Sequence, residues 1–193
     1  LGGYMDQRWP KIFTVVVLLT GLVVALLARS FGRPVNMIIF APATIGAIAW
    51  LALNQQQAKR IQHGLVLTLL GDAGPLTYKR SRRGDAEIDL AVAHVLEQRG
   101  AAYSLRDFSP RGYDARQYNS PGFNLPVGCL MRTPVGEYPE YHTSADNLQF
   151  IRPDSLQDSL EACLGVLNLL ENNRRYESLN PFCEPQLGRR GLY

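Results

Sequence analysis

Short apolar runs of strand length take turns with helical periodicity along most of this chain, and that alternation limits what it can fold into. Val35–Phe40 (VNMIIF) is apolar and of strand length. Thr44–Asn54 (TIGAIAWLALN) reads as a helix started by Pro42 and Thr44, with Gln55–Lys59 continuing it on a polar face. Gly64–Leu70 (GLVLTLL) is a buried strand closed by Gly71-Asp72, and a glycine-containing loop with Tyr78 and the basic run Lys79–Arg83 follows. Asp85 then caps a helix over Ala86–Gln98, with Ile88, Ala91, Val92 and Val95 on one face and Gly100 at its end. Arg83-Gly84-Asp85 is therefore loop and cap, not an adhesion motif. Ala102–Phe108 is a further strand candidate. Pro153 opens the last helix, where Leu156, Leu160, Leu164, Leu167 and Leu170 repeat at helical spacing up to Asn172-Asn173. That repeat predicts a leucine face packed on the sheet. Strands alternating with helices argue for an α/β sandwich with a largely parallel sheet covered on both faces.

At 193 residues and 46% hydrophobic content, the chain suits one domain with a real core. The formal charge of +3 is small and the twenty basic residues are scattered apart from Lys79–Arg83, which disfavours a nucleic-acid partner. Cys129, Cys163 and Cys183 are odd in number and form no CxxC pair. Free thiols in a reducing, cytoplasmic compartment are expected, not a disulfide framework or a cysteine zinc site.

The N-terminus allows two readings. Ile12 to Ala28 is apolar apart from Thr14, Thr20 and Gly21, between Lys11 and Arg29. A membrane span needs about 20 such residues, so the run is borderline as an anchor. The preferred expectation is a helix buried under other elements, in a segment 1–31 ahead of an α/β domain over 32–193. The sequence opens at Leu1 without an initiator methionine, so a fragment is expected.

Chemistry-bearing side chains crowd into Arg111 to Asn147. Asp114, Arg116 and Tyr118 open the stretch, Glu137 and Glu140 precede His142, and Asp146 follows. Phe123–Leu125 and Val127–Met131 would carry these loops as strand and strand edge. Polar clusters on loops held by a rigid scaffold are where sites form. Spacing alone names no function, because a lone histidine in such a loop is more often structural. Asp72 supplies independent support: it follows a strand, and α/β sites lie beyond the carboxyl ends of strands.

Taken together, FAPATIGAIAWLALN, GLVLTLLGD, SRRGD, YDARQYNSPGFNLPV, EYPEYHTSADNL and NNRRYESLNPFCEPQLGRRGLY resemble the bacterial aminopeptidase-like proteins linked to polysaccharide-biosynthesis loci, relatives of the two-zinc aminopeptidases. The resemblance covers roughly 32–193 and implies a mixed sheet between helices. It also implies zinc as cofactor and a peptide or amide small molecule as substrate. Carried over by position, Asp72 looks like the terminal carboxylate ligand of one zinc and His142 like the last histidine ligand of the other. Asp114 and Tyr118 fall by the substrate-binding wall, and Asp146 could orient the imidazole from behind. Imidazole nitrogen and carboxylate oxygen are the ligands zinc prefers, and two zincs would share a bridging water as nucleophile. The departures are as informative. Ala43 stands where the resemblance puts the general-base glutamate, and Thr44 where a second carboxylate ligand would stand. No histidine precedes Val35 to serve as the first ligand, and the family's tail leads into a further domain that is absent after Tyr193. An incomplete hydrolase domain is expected, or else a non-catalytic descendant kept for binding.

Overall fold

The computed structural model describes residues 21–30, 33–174, 182–183 and 186–193. Six strands form one mixed sheet: β1 (Gly21–Ser30), β2 (Arg33–Pro42), β3 (Ile61–Leu67), β4 (Leu76–Lys79), β5 (Tyr103–Arg106) and β6 (Val127–Met131), in the order β2-β1-β3-β6-β4-β5. Helices α1 (Ile45–Leu53), α2 (Gln55–Ala58), α3 (Glu87–Gln98), α4 (Ala115–Tyr118) and α5 (Pro153–Asn172) flank it. Parallel pairing is confined to β3–β6 and β4–β5, while β1–β2, β1–β3 and β4–β6 run antiparallel. The sheet is thus mixed but less parallel than the alternation suggested, because a hairpin replaces a helical crossover at one edge.

The apolar run yields that hairpin. Its second part is β1, paired with β2 along its length from Gly21 opposite Pro42 to Ser30 opposite Arg33. The helix expected through Ala28 is corrected over these residues, and residues 12–20 of the run lie outside the described residues. A short run apolar on all sides suits a two-sided buried strand as well as a buried helix, so periodicity could not choose. Among the described residues, no helix is long and apolar enough to cross a membrane.

Two cores sit on opposite faces of the sheet. One gathers Ala47 and Leu51 of α1, Ala115 and Tyr118 of α4, Val66 of β3, and Val127, Cys129 and Met131 of β6. The other gathers Leu65, Tyr78, Leu130, Ile88, Val92 and Leu96 with Ala162, Val166 and Leu170 of α5. The alternation Val127, Cys129, Met131 against Leu130 divides β6 between them, as a strand's period of two requires. Gly128 completes the second face, since a Cβ there would lie 2.0 Å from the Tyr78 hydroxyl.

Three further expectations are corrected. Tyr78 and Lys79 belong to β4, not a loop: both are buried, and Leu76-Thr77-Tyr78 has the composition of a half-buried strand. Phe123–Leu125 is a turn, closed by the Ser120 carbonyl accepting from both Phe123 and Asn124 amides, with Asn124 at φ 44°. Along α5 the predicted leucine line is not the buried face, which takes only Leu170 from it. Leu156, Leu160 and Leu164 are about half exposed, while Ser155, Ser159, Ala162, Cys163, Val166 and Leu170 point inward. One contribution is Arg132, which is buried and takes acceptors from α5: Ser159 Oγ at 3.0 Å, the Ser155 carbonyl at 2.9 Å and the Asp158 carboxylate at 2.5 Å. A buried guanidinium must be satisfied, and that demand helps to turn the serine line inward.

At the start of α3 the cap is Asp89, not the exposed Asp85. Its carboxylate accepts from the Ala86 amide at 3.1 Å, the acidic half of a capping box. All three cysteines are free thiols, two of them buried.

Candidate functional site

The parallel pair β3–β6 ends where Asp72 and Thr133 leave the sheet, and their loops are tied together. Asp72 is buried, and its Oδ1 accepts from Gly74 N at 2.7 Å and Thr133 Oγ1 at 2.6 Å. Its Oδ2 accepts from Thr133 N at 3.2 Å. A carboxylate has about four acceptor positions, so one further bond is open to it. Arg132 grips the same loop from the other side, donating to the Gly74 carbonyl at 2.6 Å and the Leu70 carbonyl at 3.2 Å. Gly71 is side-chain-free because Ile151 fills the place, 2.8 Å from where a Cβ would be.

An aromatic cluster stands over this edge. Tyr138 stacks on Phe150 at 5.4 Å and meets Tyr141 edge-on at 5.6 Å, and Tyr141 stacks on His142 at 4.0 Å. Burial first, then the charges of Asp146 and Asp72, push the Tyr138 hydroxyl up to about 12. Tyr113 lies within electrostatic reach of Tyr141 and Tyr138. Its hydroxyl is raised well above the ordinary range, by burial before those neighbours. His142 is thus stacked on Tyr141, while Asp146 and Asp72 act on Tyr138 through their charge. His142 is exposed and sits at φ 59°, and Asp146 is exposed too.

Asp114 and Tyr118 lie elsewhere, fully buried in the core between α1 and α4. Asp114 Oδ1 accepts from the Thr44 amide at 2.7 Å, holding a turn where Thr44 adopts φ 60°. Burial raises the Asp114 carboxyl, against the Thr44 amide and Arg116, which lower it. Ala43, on the outside of that turn, is exposed.

Among the described residues, no group of three His, Cys, Asp or Glu side chains could hold a metal ion. A catalytic zinc takes three protein ligands and an open position. Asp72 and His142 supply one carboxylate and one imidazole, and Ala43 and Thr44 supply neither, so the described residues do not fit a two-zinc centre. The sequence reading missed Thr133, Tyr113, Tyr138 and Tyr141. The density of tyrosines in Glu137–His142 was the signal available for the last two.

This architecture is that of the zinc aminopeptidase fold. The Legionella pneumophila LapA aminopeptidase superposes with a TM-score of 0.61 at 14% identity, over 76% of this chain and 42% of that one. A Bacillus subtilis zinc aminopeptidase gives 0.59 at 16% identity, over 75% and 38%. The chain belongs to the family described as a domain of unknown function (DUF4910), whose profile matches residues 13–173. It is 54% identical over 155 residues to a Clostridium acetobutylicum protein provisionally named as a polysaccharide biosynthesis protein with aminopeptidase-like domain, covering 80% of this chain and 36% of that protein. A crystal structure of a provisionally assigned C. acetobutylicum peptidase matches with a TM-score of 0.75 at 51% identity, over 83% of this chain and 37% of that one. The chain therefore spans about a third of the length of these relatives.

Proposed function

We propose that this chain is an aminopeptidase-like hydrolase domain that receives peptide or amide small molecules and is not competent in hydrolysis by itself. The observation that carries the reading is Asp72, fixed at the carboxyl ends of β3 and β6 with one acceptor position open and an aromatic wall beside it. Aromatic rings flanking a few fixed polar groups are the usual make-up of a small-ligand site. Zinc enters through the names of fold relatives, and its chemistry there would be activation of a bound water. In this chain Asp72 and His142 are the groups that would meet a zinc, with Asp146 near the imidazole as its orienter.

The exposed methyl of Ala43 supports a second reading, a non-catalytic descendant that keeps the fold for binding. Calorimetry with zinc separates the two. The proposal expects weak binding that Asp72→Ala and His142→Ala abolish, and no cleavage of aminoacyl-anilides. Zinc binding indifferent to both substitutions would sink the assigned ligands. Tight uptake of two zincs with cleavage would sink the incomplete-site reading.

A further inference from the structure

Lys79 is a charged group that the candidate site does not use. It is 7% exposed on β4, opposite Cys129 of β6. Its ammonium donates to the Arg111 carbonyl at 2.7 Å and the Ser109 carbonyl at 3.3 Å. Those bonds orient it without neutralising it. No carboxylate pairs with it among the described residues, and its third donor remains. Burial of a cation without a counter-charge is costly, and burial is accordingly the leading cause that lowers the Lys79 pKa. Cys129 raises it by a smaller amount and Arg116 adds a further positive field. The Cys129 thiol, pushed up to about 12 mainly by burial, stays neutral near pH 7 and offers no counter-charge.

Lys79 forms part of the wall of a cavity of about 330 Å3. The acids of that cavity are already engaged. Glu137 holds Arg106 with two bonds, at 2.5 and 2.8 Å, and Asp107 pairs with Arg80 at 3.2 Å. Arg111, exposed at the mouth, has no carboxylate partner among the described residues. The cavity thus carries a buried ammonium inside and an unpaired guanidinium at its mouth. Met131, Pro134, Val135 and the Tyr113 ring make up its apolar side.

We propose that this cavity binds a small organic carboxylate, its carboxylate between Lys79 and Arg111 and its apolar body against Tyr113, Met131 and Val135. A carboxylate has two oxygens to share between two cationic donors lining one cavity. A phosphate is less well served, because no helix of the described residues starts at the cavity to meet its extra oxygens. The site uses neither Asp72 nor His142, although it shares Tyr113 with the aromatic cluster, and it stands whether or not zinc is bound.

The test is calorimetry of the intact chain with N-acetyl-L-leucine, its neutral isostere N-acetyl-L-leucinamide, and inorganic phosphate. The acid is expected to bind one to one and at least about tenfold tighter than the amide, since a charged hydrogen bond is worth roughly one decade or more. Lys79→Met and Arg111→Ala should each weaken the acid by about tenfold or more and leave the amide unchanged. Arg111→Ala alters only an exposed side chain, so it keeps the test intact if Lys79→Met does not fold. The proposal is overturned if acid and amide bind alike or neither binds. It is overturned equally if Arg111→Ala leaves the acid's affinity intact, or if phosphate binds more tightly than the acid.

Discussion

Asp89 is among the most heavily committed side chains of the described residues, and removing it gives a sharp test of the fold. It is 1% exposed on the first turn of α3 and accepts four hydrogen bonds. Oδ1 takes the Tyr78 hydroxyl at 2.8 Å and the Ser81 amide at 2.7 Å. Oδ2 takes the Ser81 hydroxyl at 2.6 Å and the Ala86 amide at 3.1 Å. The carboxylate therefore joins β4, the loop after it and the start of α3. Each bond to a charged acceptor is worth about 1.5–3 kcal/mol net. The gains are not additive, and relief of a buried charge offsets several kcal/mol. Orphaned buried donors then dominate, and Asp89→Ala should cost about 3–5 kcal/mol. Asp89→Asn should cost less, about 2 kcal/mol, because the amide oxygen keeps one pair of bonds while its NH2 faces the Ala86 amide. Urea unfolding followed by circular dichroism measures both, and a double-mutant cycle with Tyr78→Phe should show coupling of about 0.5 kcal/mol or more. A loss below about 1 kcal/mol for Asp89→Ala would refute the network as the lock between β4 and α3.

The Tyr118 hydroxyl is buried with no hydrogen-bond partner among the described residues, so Tyr118→Phe should be neutral or stabilising by up to about 1 kcal/mol in the same assay. Along α5, Leu160→Ala should cost less than about 1 kcal/mol because Leu160 is 57% exposed, whereas Val166→Ala, at 1% exposure, should cost about 2 kcal/mol. Alkali should destabilise the fold: burial raises the Tyr78, Tyr113 and Tyr118 hydroxyls, so the folded state holds protons that the unfolded chain releases from about pH 10. Stability should be level below that pH and fall as pH rises toward the folded values, and a melting temperature unchanged between pH 9 and about pH 11 would contradict the assignment.

Where local chemistry decides, the sequence was a sufficient guide. Val127–Met131 is β6 to the residue, and Pro153 and Asn172 bound α5 as their types require. Asp72 was placed beyond a strand by its neighbours Gly71 and Leu70, and it is there. Where a distant residue decides, the sequence misled. The line Leu156, Leu160, Leu164 invites burial by hydrophobicity alone, yet the serine line won, in part because Arg132 needed acceptors on α5. Nothing near residue 155 announces that need. Tyr78 was hidden in the same way, since its strand runs straight into basic residues and its partner Asp89 lies eleven positions on. Asp114 and Tyr118 look like site residues by type, but a turn at Thr44, seventy positions away, claims the carboxylate.

That last claim bears on how the fold outlives the chemistry around position 43. In the turn at 42–44 the structural demand falls on backbone: the Thr44 amide donates to Asp114, and the Ala43 carbonyl accepts from Ile45 N at 2.7 Å. Position 43 is solvent-facing and contributes no side-chain contact to either core. The loops at Asp72 are likewise closed by Gly74, Thr133 and Arg132. A carboxylate at 43 would therefore be a functional residue placed on a turn that stands without it. An alanine there offers no proton acceptor, and as an exposed side chain it takes no part in the packing around Asp72. The fold and the reactive groups are separable here, so retention of the one carries no guarantee of the other.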